Sequence, residues 1–312
     1  MGTSVALVLS SGGARGLAQI GVMKELEKQG FRITSVAGTS IGSWIGGMYA
    51  MGQLDHFTES VCSLNRLEIL SLMNFTLSTH GVLSVERAFR KMEREIPDVL
   101  IEDLKIPYVA MATDIINKKE VAFTEGSLYK AIRASIAIPA IITPVREHNR
   151  ILVDGGVLNP LPIKQVYRNP GDILVAVNLY GTDEDEREKQ KSLTGSTSNG
   201  TRGDMPDKTV MTTGIKMTSF SDDNKQTLNY ISIFEEMVGL ILQSNVDNAL
   251  DMYKPDITIH IPKNSAKAFD FHKAEELIEK GRIEARKSIV QYNNNRMILQ
   301  MKREAGSSVI VL

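Results

Sequence analysis

The stretch ITSVAGTSIGSWIGGMYAMG, residues 33 to 52, changes character at its middle: a β-branched run leads up to Gly38, and a glycine-rich helical pattern begins just after Ser40. A strand that turns directly into a helix places the turn residue at the carboxyl end of a sheet, where the reactive groups of open α/β folds gather. Gly38 and Gly42 stand two residues to either side of Ser40, the small neighbours that a strained nucleophile elbow requires. The helix that follows offers its positive end to developing negative charge. Gly-x-Ser-x-Gly is a short pattern, however, and carries weight only if its chemical partners are also present.

Working outward, short β-branched runs alternate with amphipathic segments through the first 180 residues, the mark of βα units and a mainly parallel sheet, hence an α/β fold. Strands are expected at SVALVLS (4–10), ITSVAG (33–38), IPYVAMAT (106–113), RILVD (150–154), DILVAVNL (172–179) and DITIHI (256–261). Helices are expected at 17–30, closed by Gly30, at 41–52, and around 84–95, 127–137, 229–251 and 273–292. Residues 182 to 228 are first charged and then rich in Ser, Thr and Gly, with too little apolar surface to offset the entropy of ordering them. They read as a mobile insertion within one domain spanning 1–293, and 294–312 reads as a C-terminal tail.

With 42% hydrophobic and 23% charged residues in 312, the chain has the composition of a soluble globular protein. A formal net charge of -1 argues against a nucleic-acid surface and leaves neutral or lipid substrates open. Cys62 has neither a disulfide partner nor a metal-ligand neighbour and reads as a small core residue. The N-terminal apolar run, Val5 to Leu9, is too short for a signal peptide, position 6 is Ala where myristoylation asks for Ser or Thr, and no run reaches transmembrane length. The expected location is the cytoplasm, with peripheral contact at a membrane surface.

A serine attacking an ester carbonyl creates an oxyanion, which needs preorganised N–H donors. SSGGARG (10–16), between the first strand and the first helix, offers them: Gly12, Gly13 and Gly16 permit conformations that turn successive N–H groups toward one point. Arg15 is suited either to position this loop or to attract an anionic head group. A phosphate-binding turn is the alternative, but neither G-x-G-x-x-G nor a Walker pattern is present. For the base, RILVDGG places Asp154 at the end of a strand, with Gly155 and Gly156 clearing the approach. Asp114, ending the strand at 106–113, is the rival carboxylate, though a turn role also suits it. Asp172 begins its strand and belongs at the opposite edge.

Together GGARG (12–16), GTSIG (38–42) and DGG (154–156), in that order, resemble the patatin-like phospholipase family. RASIAIPAIITPV from Arg133 is similar to the family's Ala-Ser-x-x-x-Pro segment, and ATD (112–114) is also similar. One departure is IITP, where many members have phenylalanine before the second proline of that segment. The resemblance implies a three-layer fold with a mainly parallel central sheet flanked by helices. It also implies a dyad of Ser40 and Asp154 acting on lipid acyl esters, with Gly12, Gly13, Ala14, Arg15 and Gly16 forming the oxyanion loop. No metal or other cofactor is implied; the expected partner is a lipid or acyl-ester substrate, and the oligomeric state is left open.

Two rivals stand beside this reading. An α/β-hydrolase triad would take Ser40, Asp154 and His260 in the expected chain order, but it would normally place more strands before its serine. A non-catalytic lipid-binding or regulatory protein could keep the same fold; turnover of a simple ester separates the two. The apolar run Leu67, Ile69, Leu70, Leu72, Met73, Phe75 and Leu77 is either core or a lid that touches lipid, and core is the commoner fate of such runs.

Overall fold

A computed structural model describes residues 2–72, 74–78, 81–181 and 230–307. In chain order the elements are β1 (Ser4–Leu9), α1 (Ala18–Lys28), β2 (Arg32–Thr39), α2 (Ile41–Ala50), α3 (Leu54–Cys62), α4 (Arg66–Leu72), β3 (Asn74–Ser78), β4 (Gly81–Ser84), α5 (Glu86–Glu95), β5 (Tyr108–Asp114), β6 (Lys119–Phe123), α6 (Leu128–Ser135), β7 (Val145–Glu147), β8 (Arg150–Asp154), β9 (Ile173–Gly181), α7 (Tyr230–Tyr253), β10 (Ile257–Pro262) and α8 (Ala274–Ser307). Met1–Thr182 and Leu242–Leu312 make up one compact unit, and Asp183–Ile241 a second, which is described only from Tyr230 and is helical there. The expected insertion at 182–228 lies outside the described residues. Among those residues, no helix is long and apolar enough to cross a membrane.

The described residues form an eight-stranded sheet in the order β10-β9-β1-β2-β5-β8-β7, with β6 also paired to β5. The strands from β10 to β5 are parallel. Alternation along them builds three layers. Val5, Leu7 and Leu9 of β1 point into a core shared with Ile20 and Met23 of α1, Ile45 and Met48 of α2, and Leu277 of α8. Ala6 and Val8 point the other way, into a smaller core with Leu161, Ile163 and Val246, the last from α7. Each such fully buried Leu, Ile or Val contributes about 1.5–3 kcal/mol, so the period-2 pattern of β1 commits the sheet to helices on both faces.

Two sequence expectations change. First, β8 is antiparallel to β5, with Ala112 opposite Asp154 and Asp114 opposite Leu152. Asp154 therefore enters from the far side, yet because β8 stops there it ends level with Ala112, one residue past the Thr39–Met111 pair that joins β2 to β5. Second, α8 runs on to Ser307 across the expected tail boundary at 294, because nothing from 293 to 305 is Gly or Pro. The segments at 54–62 and 119–123 and the β3–β4 hairpin were not expected as separate elements. In the apolar run from 67, Leu67 is exposed and Ile69 buried; Met73 lies outside the described residues, as do the side chains of Leu70, Leu72, Phe75 and Leu77.

Candidate active site

The turn between β2 and α2 holds Ser40 at φ 56°, ψ -126°, a conformation that non-glycine residues adopt only when the surroundings impose it. Those surroundings are identifiable. A Cβ on Gly38 would lie 2.4 Å from the carbonyl of Gly42, and one on Gly42 would lie 2.5 Å from the carbonyl oxygen of Leu9, so the elbow closes only with glycine at both positions. The Ser40 N–H donates to Ser135 Oγ at 2.9 Å, and Ser135 Oγ donates in turn to the Met111 carbonyl at 2.5 Å. The Ser40 carbonyl accepts from the Ser43 N–H and from Ser43 Oγ. The backbone of the turn is thus held on both sides.

This brings Ser40 Oγ to 2.5 Å from Asp154 Oδ2, with the hydroxyl donating. The other carboxylate oxygen, Oδ1, accepts from the Gly156 N–H at 2.7 Å, which fixes the plane of the group. Ser40 is 5% exposed and Asp154 6% exposed, so the pair is nearly dehydrated. Burial pushes the Asp154 carboxyl up to about 6, against the opposing pull of the hydrogen bonds from Ser40 and Gly156. A carboxylate so placed is a stronger base than an ordinary aspartate and still ionises near neutral pH.

Gly12 to Gly16 stand where the first strand ends, and Gly13–Leu17 form a short 3₁₀ turn with Gly13 at φ 60°. The Ala14 N–H is engaged, donating to the Ala268 carbonyl at 2.8 Å. Among the described residues the N–H groups of Gly12 and Gly13 have no such partner, and Gly13 lines the same cavity as Ser40. Arg15 positions the loop: its Nη1 donates to the Lys263 carbonyl at 3.0 Å, and its guanidinium lies 5.6 Å from the centre of the Tyr180 ring.

The rival residues are placed elsewhere. Asp114 Oδ1 accepts from the N–H groups of Ile116 and Asn117 and Oδ2 from Asn117 Nδ2, closing the turn after β5; the Asn117 side chain foremost holds this carboxyl below its usual range. Asp172 receives Thr34 Oγ1 at 2.8 Å at the amino edge of the sheet. His260 sits on β10, three strands from β2 and so roughly 14 Å across the sheet, with Nδ1 3.2 Å from Asn178 Nδ2. Cys62 is half-buried against the core.

A cavity of about 150 Å³ opens beside Ser40. Its walls are apolar, from α2, α3, α5 and the segment 136–142, and the exposed Lys91 and Glu95 mark where it meets solvent. The segment from Arg133 serves both catalytic candidates: Ser135 receives the Ser40 N–H, and the Ala137 carbonyl receives the Asp154 N–H at 2.8 Å. Arg133 ties that segment down through Glu86 and the Thr143 carbonyl, each at 2.9 Å. The motif was visible in the sequence; the bond from Ser135 to the elbow was not.

A family model described as patatin-like phospholipase matches residues 7–167. An NTE family protein of Mycobacterium tuberculosis is 44% identical over 179 residues, 57% of this chain and 50% of that protein. Lysophospholipase NTE1 of Kluyveromyces lactis is 32% identical over 191 residues, 59% of this chain and 13% of that protein. The chain thus spans about half the length of the mycobacterial relative and a small part of the fungal one. The crystal structure of VipD from Legionella pneumophila aligns with a TM-score of 0.48 at 12% identity, covering 93% of this chain and 67% of that chain.

Proposed function

The chain belongs to the patatin-like phospholipase family, and from that premise we propose that it hydrolyses acyl esters of phospholipids or lysophospholipids through a Ser40–Asp154 dyad and an acyl-enzyme. The observation that carries this reading is the 2.5 Å hydrogen bond from Ser40 Oγ to Asp154 Oδ2 beside an apolar cavity.

The chemistry follows from the groups at hand. Ser40 Oγ attacks the ester carbonyl carbon while its proton passes to Asp154 Oδ2. The carbonyl electrons move onto oxygen, which the N–H groups of Gly12 and Gly13 and the N-terminal end of α2 stabilise. When the tetrahedral species collapses, the glycerol oxygen leaves with the proton from Asp154, and the acyl group remains on Ser40. Asp154, ionised again, takes a proton from water as that water attacks the acyl carbon; when the second tetrahedral species collapses, the bond to Ser40 Oγ breaks, Asp154 returns its proton to that oxygen and the fatty acid leaves. Asp154 does the work of a histidine base because burial has brought its proton affinity toward neutral pH. The Gly156 N–H and the Ala137 carbonyl, both bonded to Asp154, keep it aligned.

The test is release of fatty acid from lysophospholipids, phospholipids and a soluble p-nitrophenyl ester by wild type and Ser40→Ala. Turnover by wild type and none by the variant is expected, since loss of a nucleophile removes many orders of magnitude in rate. Lipid binding by wild type with no turnover of any ester would favour the non-catalytic alternative.

A further inference from the structure

Ser40 caps the N-terminus of α2 in a non-helical conformation, Trp44 lies in the first turn of that helix, and both line the cavity. The indole is held in place by aromatic neighbours. It stacks on Phe89 with ring centres 4.9 Å apart and planes at 19°, Phe57 lies tilted against it at 5.9 Å, and Phe89 meets Tyr129 edge-on. Among the described residues, its buried Nε1 has no hydrogen-bond partner.

A cavity of about 150 Å³ holds roughly a benzene-sized guest, six carbons' worth of chain. We propose that Trp44 sets the length of acyl chain the site accepts, with the carbonyl at Ser40 and the indole, backed by Phe57, as the wall a longer chain meets before the solvent-facing edge at Lys91 and Glu95. This makes short to medium acyl esters the preferred class. The proposal rests on Ser40 being the nucleophile.

The experiment measures kcat/KM over a series of p-nitrophenyl esters from four to sixteen carbons, for wild type, Trp44→Ala, Trp44→Phe and Ala88→Leu. Wild type should peak at a short or medium chain and fall by about tenfold or more once the chain outgrows the cavity, a step typical of shape-limited apolar pockets. Trp44→Ala roughly doubles the space, since an indole exceeds a benzene ring, and should move the optimum to longer chains. Trp44→Phe should move it part of the way. Ala88→Leu, whose larger side chain fills part of the same cavity from a half-buried position, should shorten it and keeps the test open if Trp44→Ala does not fold. Ser40-dependent hydrolysis with the same chain-length profile in every folded variant would overturn the inference while leaving the dyad intact. Absence of any Ser40-dependent hydrolysis in wild type would remove the dyad reading itself, and this inference with it.

Discussion

Ser40 Oγ and Asp154 Oδ2 are 2.5 Å apart although 114 residues separate them along the chain. The sheet register accounts for the meeting. β2 ends on Thr39, paired with Met111, and the next residue of β5, Ala112, pairs with Asp154 at the end of an antiparallel strand. The last residue of one strand and the first of a turn therefore arrive at the same level from opposite directions.

The activity should depend on pH through Asp154. The base must be ionised to accept the serine proton, so kcat/KM on a soluble ester should rise with pH through about 6 and level off above. The same rising limb should persist in His260→Ala. Its loss in that folded variant would point to an imidazole base.

The same burial costs stability. Asp154 titrates at about 6 in the fold and near 3.9 in an unfolded chain, so the folded state binds the proton more tightly. Its contribution favours folding fully below about pH 4 and is lost as pH rises through 6. Asp154→Asn, neutral at all pH, should therefore be inactive yet more stable than wild type at pH 8, by about 2–3 kcal/mol, with the gap closing toward pH 4. Denaturant unfolding at the two pH values reads this; a gap that does not narrow at low pH would contradict it.

The elbow holds strain at φ 56°. Ser40→Ala keeps that strain and Ser40→Gly relieves it, so both should be inactive while the glycine variant is more stable than the alanine one by about 1 kcal/mol or more. Equal midpoints in denaturant would show that the turn is not strained.

Ser135 holds the backbone of Ser40, the proposed nucleophile, through its N–H. Ser135→Ala leaves the buried Ser40 N–H and Met111 carbonyl without their partner and should cost about 1–3 kcal/mol of stability. It should also lower kcat more than it raises KM, because it loosens the elbow and leaves the acyl cavity as it is; Ser135→Thr, which keeps a hydroxyl, should recover part of both.

Much of this was legible in the chain. The period change around Ser40 marks the strand-turn-helix, the alternation in Val5 to Leu9 marks a central strand, and Asp154 followed by two glycines marks the strand end whose carboxylate accepts from Ser40. The direction of β8 was not legible, since five residues of β-branched and apolar pattern look the same in a parallel and an antiparallel strand. A parallel strand would bring Asp154 to the edge where the other strand ends gather; it reaches Ser40 because an opposing strand stops short. Trp44 as a cavity wall, the bond from Ser135 and the capture of the Ala14 N–H by Ala268 depend on contacts between distant segments, which no local pattern encodes. The extent of α8 past 292 was missed because three successive asparagines resemble a helix end, whereas Arg296 to Ala305 continue it.

The central claim is a nucleophilic Ser40 activated by Asp154 alone. Its most direct measurement is the rate and position of covalent labelling by a fluorophosphonate, followed by mass spectrometry in wild type, Asp154→Asn and His260→Ala. The account predicts a single adduct on Ser40, formed about 10²- to 10⁴-fold more slowly in Asp154→Asn and at the wild-type rate in His260→Ala. An adduct on another residue, or full labelling of Ser40 in Asp154→Asn together with its loss in a folded His260→Ala, would contradict it.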